Sequence, residues 1–101
     1  MSHQNGTVHV LALFTAAPGK EDELERVLTR LIEPTRREEG CIRYDLVRGM
    51  GRSAELAFIE EWETPEALDA HSQAEHLRRV QAEAAPLMGA PASIERYRLI
   101  R

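Results

Sequence analysis

Cysteine is almost absent from this chain: Cys41 is the only one, so no intrachain disulfide can form, which fits a reducing cytoplasm. Positive charge is sparse and unclustered. Thirteen Lys and Arg stand against seventeen acidic residues, a net charge of −4, and no basic block marks an electrostatic footprint for nucleic acid. Long apolar runs are missing as well. None approaches the roughly 20 residues that a membrane-spanning helix needs, so a soluble protein is expected. "VHVLALFTAA" resembles the apolar part of a signal peptide, but the "MSHQNGT" before it has no positive residue besides the amino terminus, and the run reads as a strand. Repeats and low-complexity segments are absent too. What is present suits one domain spanning 1–101 with a flexible tail at 1–6; 43% hydrophobic residues in 101 suffice for a small core.

Val8 to Thr15 is β-branched and apolar, and "APGKED" follows as a turn leading into acidic residues suited to a helix start. From Glu21, the spacing of Leu24, Val27, Leu28, Leu31 and Ile32 predicts a helix with one buried face. Pro34 is expected to kink or tighten that helix near its end, and Gly40 to stop it. "CIRYDLV" alternates Ile42, Tyr44 and Leu46 against Arg43 and Asp45, a strand with one buried face. "GMGRS" turns the chain into "AELAFIEEW", which places Leu56, Phe58, Glu60 and Trp62 on one face of a hairpin partner. Thr64 and Pro65 form an N-cap and first helical position. Ser72 with Glu75 has the form of a capping box, which predicts a break and a second helical piece carrying Leu77 and Val80. "SIERYRLI" closes the chain as a strand. The order is βαββαβ, an α+β ferredoxin-like fold: a four-stranded antiparallel sheet with helices on one face.

"VHVLALF" is apolar at nearly every position, so both faces of the first strand ask for burial, yet two helices cover only one. A symmetric homodimer with packed sheets resolves this.

Several pieces, in order, resemble one family. "APGKEDEL" at the first turn, "EEGCIRY" entering the second strand, "IEEWETPEALDAH" from the third strand into the helix, and "AEH" ending at His76 resemble the antibiotic biosynthesis monooxygenase (ABM) domain, in particular its small bacterial quinol monooxygenases. The resemblance implies a ferredoxin-like protomer, a dimeric α/β barrel, and a pocket between sheet and helices. It further implies a cofactor-independent monooxygenase that oxidises a small aromatic quinol or phenol with dioxygen. Heme-degrading relatives place an Asn, an aromatic residue and a ligating His where this chain has Ala12, His71 and Gln81, so that pattern is not matched.

Such chemistry needs a base, an apolar pocket for an aromatic ring, and stabilisation of developing negative charge on oxygen. His71 is the candidate base, since an ordinary imidazole titrates near ~6.5 and its helix face is shared with Leu68 and Ala67; the plainer account is an inert, hydrogen-bonded histidine. Glu60, polar among apolar neighbours, is expected to pair with His71 across the sheet–helix gap, orienting it and raising its basicity, or else to meet an Arg. Trp62, Tyr44, Phe58 and His76 are candidates for substrate contact, with core packing the alternative for the three aromatics. His76 stands five residues after His71, about 140° away on a straight helix, so no shared metal is expected. Cys41 reads as a small buried residue, and Arg96 and Arg98 as solvated or paired, unless they meet an anionic oxygen. No metal or bound cofactor is expected. Two other functions fit the same residues: an isomerase or proton-transfer catalyst on a small keto compound, and a non-catalytic dimeric binding or stress-response module.

Overall fold

A computed structural model describes residues 6–52 and 54–101. Residues 1–5 of the expected tail and Ser53 of the expected turn lie outside the described residues. The elements are β1 (Val8–Thr15), α1 (Glu21–Thr29), α2 (Ile32–Arg36), β2 (Cys41–Arg48), β3 (Glu55–Trp62), α3 (Pro65–Ser72), α4 (Glu75–Ala84) and β4 (Ser93–Tyr97). The sheet order is β2-β3-β1-β4, with every neighbouring pair antiparallel. This is the ferredoxin-like α+β fold that the element order predicts. Among the described residues no helix is long and apolar enough to cross a membrane.

Leu24, Leu28 and Leu31 are buried as the helical spacing requires, but the helix is not continuous. It ends at Thr29, and the backbone N–H groups of Arg30 and Leu31 donate to Val27 and Leu28 three residues back, which tightens the turn before α2 begins. Pro34 therefore sits in the first turn of a new helix, where its missing N–H would have had no partner. It opens a short helix and kinks no long one.

β2 also departs from simple alternation. Cys41 pairs with Trp62 but Arg43 pairs with Glu61, so one extra residue is accommodated between them. Ile42 falls in this bulge and is 50% exposed. The expected burial of Ile42 is thereby overturned, while Tyr44, beyond the bulge, is buried as predicted.

The core lies between the sheet and the helices. Val10, Ala12 and Phe14 of β1, Leu56, Phe58 and Trp62 of β3 and Tyr44 of β2 meet Leu24, Leu28, Leu68 and Val80 from the helices. Among the described residues no helix lies over the opposite face. Leu11, Leu13 and Ile59 are only half-buried there, and Val47 and Tyr97 are exposed; β4, at the sheet edge, is exposed on both faces.

Candidate functional site

Three local features bring the polar groups together. At Gly40 the backbone has φ +86, and a Cβ there would stand 2.6 Å from Ala67 Cβ, so only glycine lets the α2–β2 turn press against α3. The Gly40 carbonyl accepts a hydrogen bond from the Glu63 N–H at 2.8 Å, which fixes the turn, with Glu38 just before it, beside the start of α3. α3 itself starts as predicted: Thr64 Oγ1 accepts from the Ala67 N–H at 3.1 Å, and Pro65 opens the helix. Finally, the helical run breaks at Ala74, whose backbone is extended.

The break falls where the sequence predicts it, but by other means. No capping box forms. Ser72 Oγ donates to the Leu68 carbonyl of its own helix at 3.1 Å, and Ala74 caps α4 without a side-chain bond. The consequence is large, because the interrupted backbone cancels the 140° separation of a straight helix and turns His76 back toward His71. His71 Nδ1 lies 2.9 Å and His76 Nε2 2.5 Å from the same atom, Glu38 Oε2. A carboxylate oxygen only accepts, so each of these nitrogens donates a proton to it. In the neutral ring of His71 this leaves Nε2 as the nitrogen with a lone pair.

His71 is buried at 5% exposure and held between aromatic rings, 4.8 Å from Trp62 and 5.6 Å, edge-on, from Tyr44. It lines a cavity of about 260 Å³ together with Tyr44, Phe58, Glu60 and the aliphatic residues of β1 and α1. The walls are chiefly apolar, and Tyr44 stacks on Phe58 at 4.5 Å. Ser72, Leu77, Gln81 and Ile94 form the solvent-facing rim. Ala12 and Gln81, the positions compared with heme-degrading relatives, line this same cavity beside His71.

Glu60 does not hold His71. Its Oε1 accepts from the indole N–H of Trp62 at 2.9 Å, and the carboxylate paired with His71 is Glu38. The reason is strand direction: Glu60 and Trp62 are two residues apart on β3 and share a face, so the indole is the nearer donor. Burial pushes the Glu60 carboxyl above its ordinary range, while the Trp62 hydrogen bond and the nearby His71 draw it back. The shift moves Glu60 toward the protonated form, which can donate into the cavity.

Of the sequence-predicted site residues, His71, Glu60, Tyr44 and Phe58 line the cavity. Trp62 and His76 do not. Trp62 is 0% exposed and acts as a core anchor that also donates a hydrogen bond to Glu60. His76 reaches Glu38 on the far side of His71. Glu38 was missed by sequence reasoning; its only signal was its place at the head of "EEGCIRY". Burial pushes the Cys41 thiol up to about 11, which keeps it protonated and inert. Arg96 pairs with Asp69 at 2.9 Å.

The chain is similar to known proteins over most of its length. Residues 7–83 match the family described as Antibiotic biosynthesis monooxygenase. The chain is 32% identical over 87 residues to a Mycobacterium tuberculosis protein named "Putative monooxygenase Rv0793", covering 86% of this chain and 85% of that one. It is 27% identical over 88 residues to the Bacillus subtilis "Putative monooxygenase YcnE", covering 87% and 93%. The crystal structure of PA3566 from Pseudomonas aeruginosa superposes with a TM-score of 0.89 at 32% identity, covering 99% of this chain and 100% of the other.

Proposed function

The chain belongs to the antibiotic biosynthesis monooxygenase family, and from that premise we propose that it oxidises a small phenol or quinol with dioxygen, without flavin, heme or metal as cofactor. The observation that carries this reading is the buried imidazole of His71 facing an apolar cavity, with Nδ1 committed to Glu38 and Nε2 left to take a proton. A cavity of about 260 Å³ is just under the range of about 300–1,000 Å³ usual for ligand pockets. It suits one or two aromatic rings.

His71 Nε2 accepts the hydroxyl proton of the substrate, and the resulting electron-rich anion reduces dioxygen directly. Apolar walls from Phe58, Tyr44, Leu28 and Leu31 exclude water, so the anion is not quenched by solvent before it meets oxygen. Glu60 in its protonated form donates to the oxygen on which negative charge develops. For a phenol with a free ring position, one oxygen atom enters the ring and the other leaves as water, giving a quinone. Incubating the purified protein with a naphthoquinol in an oxygen-electrode cell is expected to give uptake well above the uncatalysed background. No protein-dependent uptake across several quinols sinks the proposal.

The working unit we propose is a homodimer formed through the sheet face that carries no helices. Half-buried Leu11, Leu13 and Ile59 with exposed Val47 and Tyr97 present an apolar surface larger than scattered side chains require. His9, on the same face, has a buried Nε2 without a partner among the described residues. Sedimentation equilibrium should return twice the chain mass, and Leu11→Glu should return one chain mass; a monomeric wild type refutes the assembly. We place the reaction in the cytoplasm, in keeping with a single protonated thiol.

A further inference from the structure

We propose that Glu38, His71 and His76 form a binding site for a first-row divalent cation of the zinc class, and that loading it converts His71 from a proton acceptor into a proton donor. Their ligand atoms all lie within 4.8 Å of one another. Two imidazoles and one carboxylate suit zinc, nickel or copper rather than magnesium or calcium, which prefer all-oxygen sets. Bonds of about 2.0–2.2 Å at tetrahedral angles hold donors roughly 3.3 Å apart. Here the two nitrogen-to-oxygen separations are 2.9 and 2.5 Å, while the two nitrogens lie within 4.8 Å of each other, so an ion enters once Oε2 retreats by about 1 Å and the half-exposed His76 ring swings in by about 1.5 Å. The donors are built in. Glu38 is fixed by the Gly40 turn with 16% of its side chain exposed, and His71 is held between rings with 6% exposed.

An approach path exists on the side away from substrate. The His76 side chain is 30% exposed, and neither it nor Glu38 lines the cavity. The nearby cation Arg36 is engaged elsewhere, donating to the Tyr44 carbonyl and to Asp45. Negative charge on Glu38 therefore dominates the surroundings of the two imidazoles.

Coordination uses a nitrogen lone pair, and at His71 the nitrogen facing Glu38 is Nδ1, which carries the ring proton in the metal-free protein. Binding at Nδ1 transfers that proton, through water, to Nε2; the neutral ring keeps the same number of protons and its tautomer inverts. Nε2 then donates into the cavity and cannot accept from a phenol. The cation is thus an inhibitor, not a cofactor, and this second half rests on the reading of His71 as the base.

Calorimetric titration of the full chain with zinc chloride in a non-coordinating buffer should show one saturable site per chain. His76→Gln and Glu38→Gln, each checked for an intact melting transition, should weaken it at least tenfold, and His3→Ala should leave it unchanged. Equal affinity in all four proteins, or no saturable binding, overturns the site. Long-range proton–nitrogen NMR of the His71 ring should show the protonated nitrogen move from Nδ1 to Nε2 on zinc addition. An unchanged tautomer overturns the switch while leaving the site. These readouts need no turnover, so an inactive protein that still binds zinc would count against the oxygenase reading alone.

Discussion

The two sides of the His71 ring are built on opposite principles. Behind it, Glu38 receives two hydrogen bonds on one oxygen and keeps partial contact with solvent, so charge is satisfied there. In front, Glu60 has one hydrogen bond, from Trp62, in an apolar cavity, and burial drives its carboxyl upward. The same residue type thus serves as a fixed acceptor on one side and as a weakened acid, its carboxyl raised by burial, on the other. Environment decides the role, because desolvation penalises the charged form and donors reward it.

Removing the ring between the two regions should have the largest effect. His71→Ala is expected to lower quinol-dependent oxygen uptake by about 10²–10⁴-fold, the usual contribution of a positioned base; an unchanged rate with a folded variant would show that proton transfer lies elsewhere. Breaking only the rear side should cost less. Glu38→Gln keeps one acceptor but loses charge assistance worth roughly 1.5–3 kcal/mol, which predicts a rate lower by about 10- to 100-fold in the same assay. A loss equal to that of His71→Ala would mean that Glu38 does more than position the ring.

The front side should show itself in stability. A carboxyl whose folded-state value is raised binds more protons when folded, so its contribution is fully present below the ordinary value of 4.5 and is lost as pH climbs through the raised one. Glu60→Gln keeps an acceptor for the Trp62 indole and removes this loss. The variant should therefore melt roughly a few degrees above wild type at pH 7 and show no such gain at pH 4; a gain of equal size at both pH values would remove Glu60 titration as its cause.

Much of this arrangement was visible in the chain before any fold. Apolar spacing in α1 and alternation in β3 placed Leu24, Leu28, Phe58, Glu60 and Trp62 on the correct faces, because both periods follow from backbone geometry. The Thr64–Pro65 start of α3 was equally plain, being a property of four consecutive residues. Ile42 was misplaced because a bulge shifts the strand period by one without any compositional mark, and Pro34 was misread because its tolerance depends on where the helix begins.

The sequence by itself determined the ferredoxin-like order of elements and the inward face of His71, since these rest on local periodicity and on short-range caps. Only the tertiary structure decided which carboxylate meets that imidazole. Glu38 and His71 are 33 residues apart, and their meeting depends on a glycine that admits Ala67 at its back and on an extended residue between two helices. Those are distances between elements, and no pattern within one element encodes them.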